Sequence, residues 1–142
     1  MAQQNLHHAL YAGKGDRAAL LVPGGATYSY AQLDHATGRM ASALAQLGVV
    51  RGDRVSFLLD KSAAAIVLAH ACLRLGAILH PLNTSYTDAE ITGLLADAEP
   101  RLLVADPAAF DRLEPVAKGA NARFATLGAG NTGVLAALAA AA

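Results

Sequence analysis

The chain has 142 residues, of which 54% are hydrophobic and 15% charged, a balance that excludes an intrinsically disordered polypeptide. Eleven basic residues face 11 acidic ones, which argues against the basic footprint of a nucleic-acid binder and against a polybasic membrane surface. The single cysteine, Cys72, permits no internal disulfide and favours a reducing, cytoplasmic compartment, and residues 1–16 show neither the basic nor the apolar region of a secretory leader.

In chain order, a short helix is expected from about Asn5. The stretch "AALLV" reads as a strand, Pro23, Gly24 and Gly25 as a turn, and "TYS" as the return strand. Ser29 and Gln32 have capping-box spacing and open a helix that carries Leu33, Met40, Leu44 and Leu47 on one face. Gly48 fits its left-handed stop. "RGD" at Arg51, Gly52 and Asp53 makes a turn into the strand "RVSFLL". Ser62 then opens an alanine-rich helix to Leu75, apolar almost all round and therefore expected to be buried on more than one side.

"AILHPL" reads as a second core strand. Thr87 and Glu90 form another capping box, ahead of Ile91, Leu94, Leu95 and Ala98 on one face. Pro100 marks the exit and "RLLVA" the next strand. Asp106 and Pro107 pair a cap with proline at the first helical position. The helix to Lys118 carries Phe110, Leu113 and Val116, and "ARFATL" is a further strand. The ending "VLAALAAAA" reads as a helix whose packing partner is missing, expected to be disordered in isolation.

Strands alternating with helices predict an α/β fold: layered, with a largely parallel sheet, flanking helices and a short antiparallel N-terminal hairpin added at one sheet edge. No internal repeat or long linker interrupts it. Residues 63–82 are apolar over about the length of a membrane span. They contain His70, Arg74, Gly76, His80 and Pro81, which fit a helix followed by a strand better.

Several residues invite a chemical reading. Gly128, Gly130 and Gly133 spell G-x-G-x-x-G, as in a dinucleotide fingerprint. The motif follows the last strand rather than the first, and the acidic residue expected about 20 positions on has no counterpart before Ala142. The glycines are expected to shape a turn. His7, His8, His35, His70 and His80 lack metal-ligand spacing, so no metal site is expected. His7 and His8 are expected to face solvent, His70 and His80 to be hydrogen-bonded within apolar stretches. Cys72 reads as an inert small hydrophobe. No serine sits in a G-x-S-x-G elbow. Asp60 and Asp106 end strands, as in a response-regulator receiver, but lack its second acid and its lysine. Composition and spacing alone thus support a soluble α/β domain and no named reaction.

Five stretches in fixed order carry a resemblance: residues 29–33, 48–55, 74–77, 81–91 and 97–101. They match [ST]-Y-x-x-L, G-[VL]-x-x-G-D-R-V, R-x-G-A, P-L-N-x-x-Y-T-x-x-E-[IL] and D-A-[ED]-P-[KR]. This succession resembles the N-terminal region of the adenylate-forming acyl-CoA synthetases, a family that includes luciferases and peptide-synthetase adenylation domains. The wording "PLNTSYT" and "ADAEPRLLVADP" is most similar to its malonate-activating members, the malonyl-CoA synthetases.

The resemblance implies a parent enzyme in which a carboxylate attacks the α-phosphate of ATP, releasing pyrophosphate, and the acyl group then passes from AMP to the CoA thiol. Malonate or a related acid, ATP, Mg²⁺ and CoA would be its small-molecule partners. The family's phosphate loop, roughly [YF]-T-S-G-[ST]-T-G, its adenine site and its small C-terminal domain are absent from residues 1–142. The chain is therefore expected to be an N-terminal subdomain fragment, to hold no cofactor or catalytic residue itself, and to be inactive alone. By resemblance, Asn83, Thr84 and Ser85 occupy the loop near the CoA entrance, although turn-bracing is the plainer role for Asn83. Arg51, Arg54 and Lys61 are candidates to attract CoA phosphates. A freestanding non-catalytic α/β binding or signalling module remains the alternative, and a dinucleotide-binding protein a more remote one.

Overall fold

The computed structural model describes residues 5–142. The first four residues, part of the 1–16 stretch that lacks leader features, lie outside the described residues. The elements run α1 (Leu6–Tyr11), β1 (Ala18–Leu21), β2 (Thr27–Ser29), α2 (Tyr30–Gln46), β3 (Arg54–Leu58), α3 (Ala63–Leu75), β4 (Ile78–Pro81), α4 (Asp88–Ala98), β5 (Leu102–Ala105), a 3₁₀ turn (Pro107–Ala109), α5 (Phe110–Gly119), β6 (Arg123–Thr126) and α6 (Val134–Ala141). This is the α/β architecture that the alternating pattern predicts.

Both capping boxes form. Ser29 accepts from the Gln32 amide while the Gln32 side chain accepts from the Ser29 amide, and Thr87 and Glu90 do the same for α4. Ser62 caps α3 through the Ala65 amide at 3.1 Å. Gly76 ends α3 at φ 80, so residues 63–82 split into helix and strand. Among the described residues, no helix is long and apolar enough to cross a membrane.

The four parallel strands are ordered β4-β3-β5-β6. Val55 pairs with Leu79 on one side and Leu102 on the other, and Leu102 pairs with Arg123. Because side chains alternate along a strand, β5 serves two cores. Leu102 and Val104 face α2, α3 and α6 with Leu44, Leu68 and Leu135. Leu103 and Ala105 face α4 and α5 with Ile91, Leu95 and Leu113. All four β5 residues are buried, as expected for a central strand covered on both sides.

Two expectations need correction here. The antiparallel pair β1–β2 forms a ribbon of its own and does not extend the parallel sheet. The C-terminal helix has a partner: Leu135 and Ala136 are buried in the core that includes Met40 and Ala41 of α2. That partner lies far upstream in sequence, where no local pattern reveals it.

Candidate functional site

In a parallel sheet every strand delivers its following loop to the same edge. Here that carboxyl edge collects residues 59–62 after β3, 82–87 after β4, 106 after β5 and 127–133 after β6. The connections from β3 and β5 leave toward opposite faces, α3 to one and α5 to the other. Ligands of open α/β sheets bind at the crevice outside the carboxyl ends of such strands. The candidate site is therefore built from Asp60, Lys61 and Ser62, from Asn83, Thr84 and Ser85, and from Asp106.

Asn83 organises its loop. Its Oδ1 accepts from the Ser85 amide at 2.9 Å and from the Ser85 hydroxyl at 2.8 Å, and its carbonyl accepts from the Tyr86 amide at 3.1 Å. The Leu82 amide donates to the Phe57 carbonyl at 2.9 Å and anchors the loop to β3. Thr84 and Ser85 are exposed. The turn is thus rigid at Asn83 and presents a threonine hydroxyl and backbone groups outward. Asp106 Oδ1 accepts from the Ala108 amide at 2.8 Å and is committed to capping.

Lys61 lies on this edge and makes no ion pair among the described residues. Arg51 and Arg54 do not join it. They stand at the start of β3, a strand length of five residues away, or about 16 Å at about 3.3 Å per residue. The three cations close in sequence therefore cannot serve one phosphate-binding site.

The terminal glycines shape a turn. A Cβ on Gly133, at φ 96, would lie 2.5 Å from the Thr126 carbonyl oxygen, and a Cβ on Gly128 would collide with the Thr132 hydroxyl. The Gly128 amide donates to the Thr132 carbonyl, and the Val134 amide to Thr126 Oγ1, which fastens α6 to β6. Gly130 meets nothing within 4 Å. Beside this loop lies a cleft of about 450 Å³ between α2, α3 and α6, missed in the sequence because its walls come from distant segments. Half of its lining residues are alanines, with His35 and Arg39 among its polar residues.

The remaining candidates resolve into structural roles. Cys72 is fully buried, and burial pushes its thiol up to about 12, so no thiolate forms at neutral pH. His80 Nδ1 lies 2.7 Å from Ser56 Oγ, and His70 Nδ1 lies 2.7 Å from the Tyr11 hydroxyl. The Ser56–His80 contact resembles a nucleophile–base pair, but Ser56 is 0% exposed and ties β3 to β4. His7 corrects the expectation of a solvent-facing side chain: it is 6% exposed and lies between α1 and α2. Among the described residues, no group of three or more histidines, cysteines or carboxylates could hold a metal ion.

Four of the five recurring stretches turn out to be architectural. Gly48 and Gly52 adopt positive φ, Asp53 accepts from the Val50 amide and from Arg101, and Arg74 pairs with Asp34. Only residues 81–91 also reach the exposed carboxyl edge. The profile of the AMP-binding enzyme family matches residues 7–135. The chain belongs to this family of adenylate-forming acyl-CoA synthetases.

The medium-chain fatty-acid–CoA ligase of Escherichia coli is 34% identical over 101 residues, 71% of this chain and 18% of that protein. The acetyl-coenzyme A synthetase of Deinococcus radiodurans is 30% identical over 126 residues, 86% of this chain and 19% of that protein. Crystal structures of MatB from Rhodopseudomonas palustris, apo and ATP-bound, superpose with a TM-score of 0.92 at 36% identity, covering 97% of this chain and 28% of MatB. The chain thus spans under a third of the length of these relatives. Its fold matches the N-terminal domain of the superfamily.

Proposed function

We propose that the chain is the N-terminal part of an AMP-forming acid–CoA ligase that makes malonyl-CoA from malonate, ATP and CoA through malonyl-AMP. One observation favours malonate. The match to MatB, a malonyl-CoA synthetase, has 36% identity and a TM-score of 0.92, against 22% and 0.82 for a benzoate CoA ligase from Burkholderia xenovorans.

In this reading ATP and Mg²⁺ supply the leaving pyrophosphate and its charge neutralisation, and both are held by parts of the ligase outside residues 1–142. The chain's own contribution is a rigid sheet whose carboxyl edge faces the ligands. Asn83 fixes the turn that carries Thr84 and Ser85, and this turn, with Lys61 nearby on the same edge, borders the CoA entrance. Lys61 offers a positive charge to a phosphate, and Thr84 a hydroxyl to a polar part of the cofactor.

Two measurements test the reading. The purified 142-residue chain should give no ATP–pyrophosphate exchange, and robust exchange would overturn its assignment as an incomplete ligase. The complete ligase containing this segment should release AMP faster with malonate than with acetate, benzoate or octanoate. A preference for another acid would remove malonate and leave the ligase. AMP release with none of them would remove malonate and the other three acids as substrates.

A further inference from the structure

The face of the sheet that packs on α4 and α5 carries a polar pair at the β3–β4 boundary. On β3, Val55 and Phe57 turn to the core of α2, α3 and α6, so Ser56 and Leu58 turn to the other. Ser56 is 0% exposed and stands in register between His80 of β4 and Leu103 of β5, the latter part of that second apolar core. A hydroxyl buried in such surroundings needs a partner. That partner is His80 Nδ1 at 2.7 Å.

Strand β4 depends on such a tie more than β5 does. It lies at the sheet edge, paired on one side only, and none of its four residues is fully buried, whereas all four of β5 are. Register is specified by side chains that must stay on a buried face, and β4 offers few of them. Ile78 and Pro81 are exposed, and Leu79 is only partly covered. A slip of one residue along β3 would set Leu79 or Pro81 opposite Ser56, turn His80 to the other face and orphan the buried hydroxyl. Leu82, buried just past the strand, continues the register that the pair sets, with its amide on the Phe57 carbonyl at 2.9 Å.

This register decides where the 83–85 turn stands, because Asn83 follows Leu82 directly. The Asn83 bonds to Ser85 and Tyr86 close within the turn and do not fix its position on the sheet. A slip of one residue displaces the turn by about 3.3 Å, enough to break any hydrogen bond it makes to a ligand.

We propose that Ser56 and His80 are positioning residues for CoA. Their bond holds β4 in the register that presents Thr84 and Ser85 to the cofactor, an inference that rests on the reading of this turn as the border of the CoA entrance. Neither residue touches the cofactor, and both act through the turn.

The test is made in the complete ligase containing this segment. His80→Leu keeps the bulk and removes the hydrogen-bonding atom, while His80→Asn keeps an amide atom where Nδ1 stands and gives up bulk. His80→Leu should raise the KM for CoA about 3- to 10-fold and leave acid-dependent ATP–pyrophosphate exchange within about twofold of wild type. His80→Asn should stay within about twofold in both. A side chain that merely fills space would give the reverse order. Ser56→Ala/His80→Leu leaves no orphaned hydroxyl, is the variant to read should His80→Leu not fold, and should show the same rise. An unchanged KM, the reverse order, or an equal loss of exchange would overturn the positioning role. Asn83→Ala/Ser85→Ala separates this role from the reading beneath it. If that variant raises the KM and Ser56→Ala/His80→Leu does not, the positioning role alone falls. If neither raises it, the CoA entrance falls as well.

Discussion

At the amino end of the parallel sheet, Asp53 Oδ2 accepts from the Val50 amide at 2.9 Å and from Arg101 Nε at 3.2 Å, and Arg123 donates to the Leu47 carbonyl at 2.9 Å. Left-handed residues Gly48, Gly52, Gly76, Glu99 and Asn121 turn the chain back into the strands there. At the carboxyl end, the side chains of the 83–85 turn bond only within the turn, and Lys61 has no ion-pair partner among the described residues. One end spends its polar groups on holding strands together. The other spends Ser62, Asp106 and Thr126 on the helical segments that follow and leaves Lys61, Thr84 and Ser85 exposed. Motif residues of an enzyme family therefore need not be near its chemistry, because a common scaffold constrains sequence as strongly as a site does.

The largest expected effect breaks the simplest form of that contrast. Gly133→Ala at the carboxyl end places a Cβ 2.5 Å from the Thr126 carbonyl at φ 96, and should cost about 3 kcal/mol of unfolding free energy in urea denaturation. The β6 loop is thus the structural part of an otherwise outward-facing edge. At the amino end, Gly76→Ala, at φ 80 with Arg51 Cγ 3.0 Å from the new Cβ, should cost about 1–2 kcal/mol by the same measure.

Asp53→Ala frees the Val50 amide and Arg101 and should cost about 1 kcal/mol in thermal or urea unfolding, the bonds lying partly in solvent. Smallest of all, Thr84→Ala should stay within about 0.5 kcal/mol of wild type. A loss at Thr84 as large as at Asp53 would erase the distinction between the two ends.

Much of this fold was legible because its signals are local. Capping boxes at Ser29 and Thr87 and the glycine stop at Gly76 act within a few residues, and helices α2, α3 and α4 begin or end where they indicate. Strand ends are trimmed by a residue or so, since pairing partners rather than composition end a strand.

The misreadings share a cause. His7 is buried by Thr37, 30 residues on, and Tyr11 reaches His70 across 59 residues. The alanine-rich α6 finds its cover on α2. Of the candidate site, the 83–85 turn was proposed through the family resemblance, while its placement on one sheet edge with Lys61 and Asp106 follows only from the parallel strand order.

The most direct measurement uses a chimera in which this chain replaces the matching segment of Rhodopseudomonas palustris MatB. Asn83→Ala/Ser85→Ala in that chimera should raise the KM for CoA about 3- to 10-fold, the loss of roughly 1 kcal/mol of positioning. Malonate-dependent ATP–pyrophosphate exchange, which needs no CoA, should stay unchanged. An unchanged KM for CoA, or a loss confined to the exchange reaction, would contradict the account that the carboxyl edge of this sheet faces the CoA entrance of a ligase.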